Sequence, residues 1–151
     1  MNMQISAICN DEPNMIANMA NISAILFDQL DDINWAGFYL VADNISADDQ
    51  ELVLGPFQGK AACVRIPIGR GVCGTAAADN QTQLIADVHQ FEGHIACDAA
   101  SNSEIVIPIK ANGKVVGVLD IDSPSLSRFD EEDKLGLEQL VAFVESIWSA
   151  A

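Results

Sequence analysis

Basic residues are scarce in this sequence. Seven lysines and arginines stand against 22 aspartates and glutamates, which gives a formal net charge of −15. Binding to nucleic acid or to an anionic membrane depends on clustered lysine and arginine, so neither partner is expected. The acidity itself indicates only that the protein is soluble.

Long apolar runs are also missing. No hydrophobic stretch approaches the roughly 20 residues needed to span a bilayer. The N-terminal residues MNMQISAICNDEP contain no basic region followed by an apolar one, as a secretory signal would. The sequence therefore predicts a cytoplasmic protein.

The sequence also lacks the cysteine motifs that are typical of metal sites. The four cysteines are Cys9, Cys63, Cys73 and Cys97. They form no CxxC pair, and neither His89 nor His94 lies at a finger-like spacing from them, so no metal or other cofactor is predicted. Cysteines in a cytoplasmic protein are usually reduced, and they are more often catalytic or inert than bridging.

The hydrophobic pattern predicts one α+β domain over residues 1–151, in which residues 1–12 form a mobile N-terminal segment. The predicted elements are a helix over 13–30, strands over 35–41, 51–57 and 64–68, a short helix over 75–78, strands over 83–88, 104–110 and 115–122, and a helix over 130–149. Short links between strands indicate a central antiparallel sheet of about six strands, with the N- and C-terminal helices packed on one face.

Three acidic residues are candidates for pocket chemistry. Asp120 and Asp122 alternate with apolar residues, so both lie on one face of a strand, and Glu104 belongs to the neighbouring strand. A partly desolvated Glu104 could keep a proton near neutral pH and donate it to a substrate oxygen. The alternative is that the two aspartates are simply solvated at a strand end.

The connection between these two strands decides whether the three acids meet. We predict a three-residue loop over 111–113 with a positive φ at Gly113, which would place Glu104 opposite Asp120 on a shared face. A two-residue turn would point Glu104 away from the aspartates, unless an irregularity near Pro108 shifts the strand by one residue.

The cysteines outside the N-terminal segment lie in loops rich in glycine or small residues. Cys73 follows Gly69-Arg70-Gly71, and a helix starting there would lower the pKa of its thiol. Cys97 lies in a small, polar loop just before Glu104. For any one cysteine taken alone, the sequence favours a small buried filler.

Two aromatic residues complete the set of candidates. Trp35 and Tyr39 are four residues apart in a predicted strand and therefore face the same side. Aromatic walls suit a thioether-like group, although ordinary core packing explains the same spacing.

Four segments together resemble one enzyme family. They are Asn34-Trp35-Ala36-Gly37-Phe38-Tyr39, Gly69-Arg70-Gly71-Val72-Cys73-Gly74, His94-Ile95-Ala96-Cys97-Asp98 and Leu119-Asp120-Ile121-Asp122-Ser123-Pro124. The sequence, from about residue 13 to the last helix, resembles the free methionine-(R)-sulfoxide reductases, which are single GAF-domain enzymes. The resemblance implies a GAF-like sheet and reduction of free methionine-(R)-sulfoxide.

The resemblance also implies roles for three cysteines. Cys97 would attack the sulfoxide sulfur and become a sulfenic acid as methionine leaves. Cys73 would then attack the sulfenic acid and close a disulfide, and Cys63 would be an additional resolving cysteine that exchanges into a second disulfide. Thioredoxin would restore the thiols.

For the pocket, the resemblance implies that Glu104, Asp120 and Asp122 hold the amino acid and the sulfoxide oxygen, with Trp35 and Tyr39 lining it. It also implies a homodimer. Two other functions stay open: a GAF module that senses small molecules or redox state without catalysis, and a thiol peroxidase-like enzyme, which would not explain three pocket acids.

Overall fold

A computed structural model of the protein describes residues 1–42, 50–93 and 100–148. The helices are α1 (Asn2–Cys9), α2 (Met15–Gln29), α3 (Gly71–Asp79) and α4 (Glu131–Trp148), with a short 3₁₀ helix at Val88–Gln90. The strands are β1 (Trp35–Val41), β2 (Glu51–Gly59), β3 (Arg65–Pro67), β4 (Gln83–Ile85), β5 (Ser103–Ala111) and β6 (Lys114–Ser123). All six strands form one antiparallel sheet in the order β3-β2-β1-β6-β5-β4. The predicted α+β architecture is confirmed.

One face of the sheet is covered by α1, α2 and α4. The side chain of Asn14 caps α2, since its Oδ1 accepts a hydrogen bond from the backbone N–H of Ala17 at 3.0 Å. Acidic residues fill the first turn of α4, where they interact favourably with the helix dipole. The first core lies between these helices and the inward residues of β1, β5 and β6, including Phe38 and Leu119. Both long helices therefore pack on one face, as predicted.

The N-terminal residues differ from the mobile segment that the sequence predicts. Residues 2–9 form α1, and Ile5 and Cys9, four residues apart on one side of this helix, are fully buried. Both belong to the first core, together with Ile22 and Leu26 of α2. The segment thus contributes to the core. None of the described helices is both long and apolar enough to cross a membrane.

The opposite face of the sheet carries α3 and a second core. The buried residues of α3 are all small or of moderate size, among them Val72, Cys73 and Ala76. They pack against Val106 of β5 and Val118 of β6. Because α3 begins at Gly71, before the predicted start at residue 75, Cys73 lies in the first turn of a helix packed on the sheet.

Gly37 of β1 makes room for the aromatic residues of this second core. A Cβ at Gly37 would lie 2.3 Å from the Cβ of Phe57 and 2.9 Å from the ring of Trp35. Gly37→Ala is therefore expected to lower the free energy of unfolding by about 1–3 kcal/mol or more, as overpacking does. Urea titration followed by circular dichroism measures the change.

Gly136 of α4 offers the matched control for this substitution. A Cβ there meets no atom within 4 Å. Because alanine is favoured over glycine inside a helix by about 0.8–1.0 kcal/mol, Gly136→Ala should stabilise the protein. Equal stability of the two variants would contradict the steric role of Gly37.

Candidate active site

The β5–β6 hairpin places the three candidate acids. Ala111 pairs with Lys114, so the connection is a two-residue turn at Asn112 and Gly113, and the predicted three-residue loop is wrong. The φ angles of these two residues are 54° and 78°, so the predicted positive φ at Gly113 is confirmed. Positive φ at both central residues is the pattern that fits the twist of a hairpin.

A register irregularity brings the acids back to a shared face. The pairing shifts between Ile109 and Lys110, next to Pro108, so that β6 carries one extra residue. Glu104 consequently lies opposite Asp122, and the prediction that it lies opposite Asp120 is wrong. Side chains alternate along strands, so Glu104 shares its face with both aspartates, and this part of the prediction is confirmed.

Strand β1 adds the aromatic residues to the same face. Trp35 pairs with Asp122, and Tyr39 pairs with Val118 of β6. The rings of Trp35 and Tyr39 stack with centroids 5.9 Å apart. Phe57, for which the sequence predicted no role, also stacks on Trp35, with ring centroids 5.1 Å apart. The signal for it is Gly37, which pairs with Phe57 and lies between Trp35 and Tyr39 in β1.

Hydrogen bonds hold the polar ends of these aromatic side chains. Trp35 Nε1 donates to the backbone carbonyl of Lys60 at 3.0 Å, and the Tyr39 hydroxyl donates to the carbonyl of Cys63 at 2.9 Å. Both acceptors lie in the connection between β2 and β3. The aromatic wall is therefore tied to the segment that carries Cys63.

Helix α3 brings Cys73 to the acids. The Sγ atom of Cys73 lies 3.9 Å from Glu104 Oε2, and both residues are buried. Asp120 completes the group, because Sγ and one oxygen of each acid lie within 4.8 Å of one another. Residues from three separate elements thus converge on one point.

The prediction of a lowered thiol pKa at Cys73 is wrong. Burial raises the pKa of Cys73 well above its usual value, and the nearby carboxyl groups of Asp120, Glu104 and Asp122 raise it further. The helix start favours a thiolate locally, but desolvation and three acids outweigh it. Cys73 therefore rests as a protonated thiol.

The carboxyl groups are also shifted toward their protonated forms. Burial is the main cause for both Glu104 and Asp120, and the second cause is a neighbouring acid: Asp120 raises the pKa of Glu104, and Asp122 raises that of Asp120. Over the described ranges, no lysine or arginine forms an ion pair with Glu104 or Asp120. Asp120 Oδ1 is buried and has no hydrogen-bond partner there either. A cationic ligand would favour the ionised forms of these acids, because it would supply the positive charge that the described residues do not.

The remaining cysteines occupy different surroundings. Cys63 is disulfide-bonded, whereas Cys9 and Cys73 are free thiols. Cys97 lies outside the described residues. Asn102, soon after that gap, donates its backbone N–H to the carbonyl of Ser123 in β6 at 2.8 Å. Asn102 therefore lies directly beside the strand that carries the aspartates.

Known proteins resemble this chain in both sequence and fold. The GAF domain family model matches residues 17–149. Free methionine-R-sulfoxide reductase of Escherichia coli (strain K12) is 58% identical over 147 residues, which cover 97% of this chain and 86% of that protein.

Two solved structures are similar over nearly the whole chain. The structure of fRMsr of Staphylococcus aureus in complex with substrate has 55% sequence identity and a TM-score of 0.88, and covers 97% of this chain and 92% of that one. The X-ray structure of free methionine-R-sulfoxide reductase from Neisseria meningitidis in complex with its substrate has 44% identity and a TM-score of 0.92, with coverages of 99% and 86%. The sequence comparison and the fold comparison therefore indicate the same group of proteins.

Proposed function

The chain belongs to the free methionine-R-sulfoxide reductase family of GAF-domain proteins, and from this premise we propose that it reduces free methionine-(R)-sulfoxide to methionine. The observation that carries the proposal is the buried group of Cys73, Glu104 and Asp120, which lies on the sheet face shared with Asp122. An acidic pocket suits the ammonium group of a free amino acid, since charge-assisted hydrogen bonds to carboxylates are strong.

The first chemical step uses Cys97 as the nucleophile. Its thiolate attacks the sulfoxide sulfur and a proton passes to the sulfoxide oxygen. The oxygen then transfers to the cysteine sulfur as its bond to the methionine sulfur breaks, which leaves a sulfenic acid on Cys97 and releases methionine. We assign proton donation to Glu104, because its raised pKa favours the protonated form that a general acid requires. The stacked rings of Trp35 and Tyr39 border the same face and would contact the methyl thioether.

Two further cysteines remove the sulfenic acid. The thiol of Cys73 attacks it, which forms a disulfide with Cys97 and releases water. Thiolate exchange by Cys63 at the Cys97 sulfur then forms a second disulfide and returns Cys73 to the thiol form. A disulfide at Cys63 and a free thiol at Cys73 are what this exchange would leave.

Recycling requires a dithiol reductant, which we propose is thioredoxin. Val64, next to disulfide-bonded Cys63, has 60% of its surface exposed. An apolar side chain beside a disulfide suits docking of a reductase. Val64→Asp should therefore raise the KM for thioredoxin about tenfold, equivalent to about 1.4 kcal/mol of lost contact. It should leave turnover with dithiothreitol unchanged.

Leu135 of α4, also 60% exposed, provides the matched control. Leu135→Asp places the same charge on a different surface and should leave the KM for thioredoxin unchanged. An equal rise in KM for both variants would show a general charge effect rather than docking at Val64.

The function is tested by following NADPH consumption with thioredoxin and thioredoxin reductase. Separated R and S epimers of free methionine sulfoxide are compared with N-acetylated and peptide-bound sulfoxide. We expect turnover of the free R epimer and almost none of the others, because blocking the amine removes the charge that the acids bind. Equal activity on the blocked substrates would refute the proposal.

A further inference from the structure

The group formed by Cys73, Glu104 and Asp120 has the composition of a metal site. Its members come from α3, β5 and β6, and their exposed fractions are only 4%, 8% and 5%. One sulfur and two carboxyl oxygens lie within 4.8 Å of one another. The sequence spacing of cysteine and histidine did not indicate this set, because Glu104 lies 31 residues after Cys73 and Asp120 a further 16 residues on.

We propose that Cys73, Glu104 and Asp120 bind one Zn²⁺ ion when Cys73 is reduced. Zinc accepts thiolate and carboxylate ligands together, at about 2.3 Å for sulfur and 2.0–2.2 Å for oxygen. Tetrahedral bonds of these lengths place ligand atoms about 3.5 Å apart, so donors that lie within 4.8 Å of one another need to approach by at most about 1.3 Å. Magnesium and calcium prefer all-oxygen sites with more ligands, so the cysteine favours zinc.

The electrostatics of the pocket support a divalent cation. Negative charge on these three groups is disfavoured by burial and by their mutual repulsion, and no lysine or arginine pairs with either acid in the described parts of the chain. Asp120 Oδ1 is buried without a hydrogen-bond partner among the same residues and is available as a ligand atom. Since a bound metal displaces the thiol proton, zinc affinity should rise with pH.

Zinc at this position would inhibit the reaction described above, and this consequence rests on the proposed function. The ion would occupy Asp120, one of the acids assigned to the substrate ammonium group, and Glu104, the assigned proton donor, so inhibition should be competitive with methionine sulfoxide. It would also hold the Cys73 thiol that resolves the sulfenic acid. Three protein ligands leave a fourth position open for water.

The binding itself is tested without any activity measurement. The reduced, metal-free protein is titrated with Co²⁺, whose thiolate complexes show a near-ultraviolet charge-transfer band, and Zn²⁺ is then added to displace it. We expect one Co²⁺ per chain, loss of the band in Cys73→Ser, and its retention in Cys63→Ser. Glu104→Gln should keep the band but weaken binding by at least 10–100-fold, the loss typical even of an outer-shell partner.

Three outcomes would overturn the site. The first is the absence of stoichiometric Co²⁺ binding to the wild type. The second is a charge-transfer band that persists in folded Cys73→Ser. The third is a band that is lost in Cys63→Ser while Glu104→Gln binds Co²⁺ with full affinity. Circular dichroism verifies the fold of each variant, and Glu104→Gln decides the question if Cys73→Ser is unfolded. Binding of Co²⁺ without sulfoxide reduction would refute the proposed function and leave the metal site intact.

Discussion

Replacing Cys97 with serine is expected to abolish reduction of methionine-(R)-sulfoxide, including the first turnover. A serine hydroxyl is a far weaker nucleophile than a thiolate, and no other cysteine is assigned to attack the substrate. Cys73→Ser should behave differently, because the sulfenic acid still forms. It should release about one methionine per chain and then stall, since the thiol that clears the sulfenic acid is missing.

Single-turnover assays with pre-reduced protein and no reductant separate these cases. Released methionine is quantified by chromatography, and the sulfenic acid is trapped with dimedone and located by mass spectrometry. Cys9→Ala is the matched control, because Cys9 is buried in the first core on the opposite side of the sheet from the acids. A full first turnover by Cys97→Ser would exclude Cys97 as the nucleophile.

The shared face of the three acids could be predicted because strand alternation is a local property. Asp120 and Asp122 lie two residues apart within β6, so their common side follows from the sequence alone. Their register against Glu104 depends instead on the turn and on the irregularity at Ile109 and Lys110. The Asn112-Gly113 pair was a usable signal for a two-residue turn. Pro108 indicated that an irregularity could occur there, but it did not show that β6 would carry the extra residue.

The behaviour of Cys73 shows a second limit of local reasoning. The glycines before it correctly indicate a helix start, and a thiol at such a position is usually more acidic. Its pKa is raised because Glu104 and Asp120, more than 30 residues away in the chain, lie against it in the fold. In the same way, α1 is identified by burial of Ile5 and Cys9 against α2, a contact that the sequence of α1 does not specify.

Glu104→Gln is expected to slow the reduction step by about 10²–10⁴-fold, the usual contribution of a general acid. Glutamine retains the shape of protonated glutamate and can still donate a hydrogen bond, but its amide cannot transfer a proton to the substrate. Substrate binding should weaken much less, because the carboxyl groups of Asp120 and Asp122 still offer oxygens that accept hydrogen bonds from the ammonium group. The expected signature is therefore a large fall in single-turnover rate at saturating substrate with a small change in apparent Kd.

The pH dependence distinguishes proton donation from a structural role. Burial, followed by the charge of Asp120, raises the pKa of Glu104 above its ordinary value of 4.5. The wild-type rate should fall as pH rises through that raised pKa, because the donor loses its proton. In Glu104→Gln the rate should no longer fall as pH rises through this range. Glu131→Gln, at an exposed position in the first turn of α4, should keep both the wild-type rate and its fall with pH.

Stability should change with pH in the same direction. A carboxyl group with a raised folded-state pKa binds its proton more tightly in the folded protein than in the unfolded chain. The free energy of unfolding therefore falls as pH rises from the ordinary carboxyl pKa to the raised one. In Glu104→Gln this decline should be shallower, with only Asp120 contributing among the two shifted acids. Urea titrations across this pH range measure the slope, and an unchanged slope together with an unchanged single-turnover rate would exclude Glu104 as the buried proton donor.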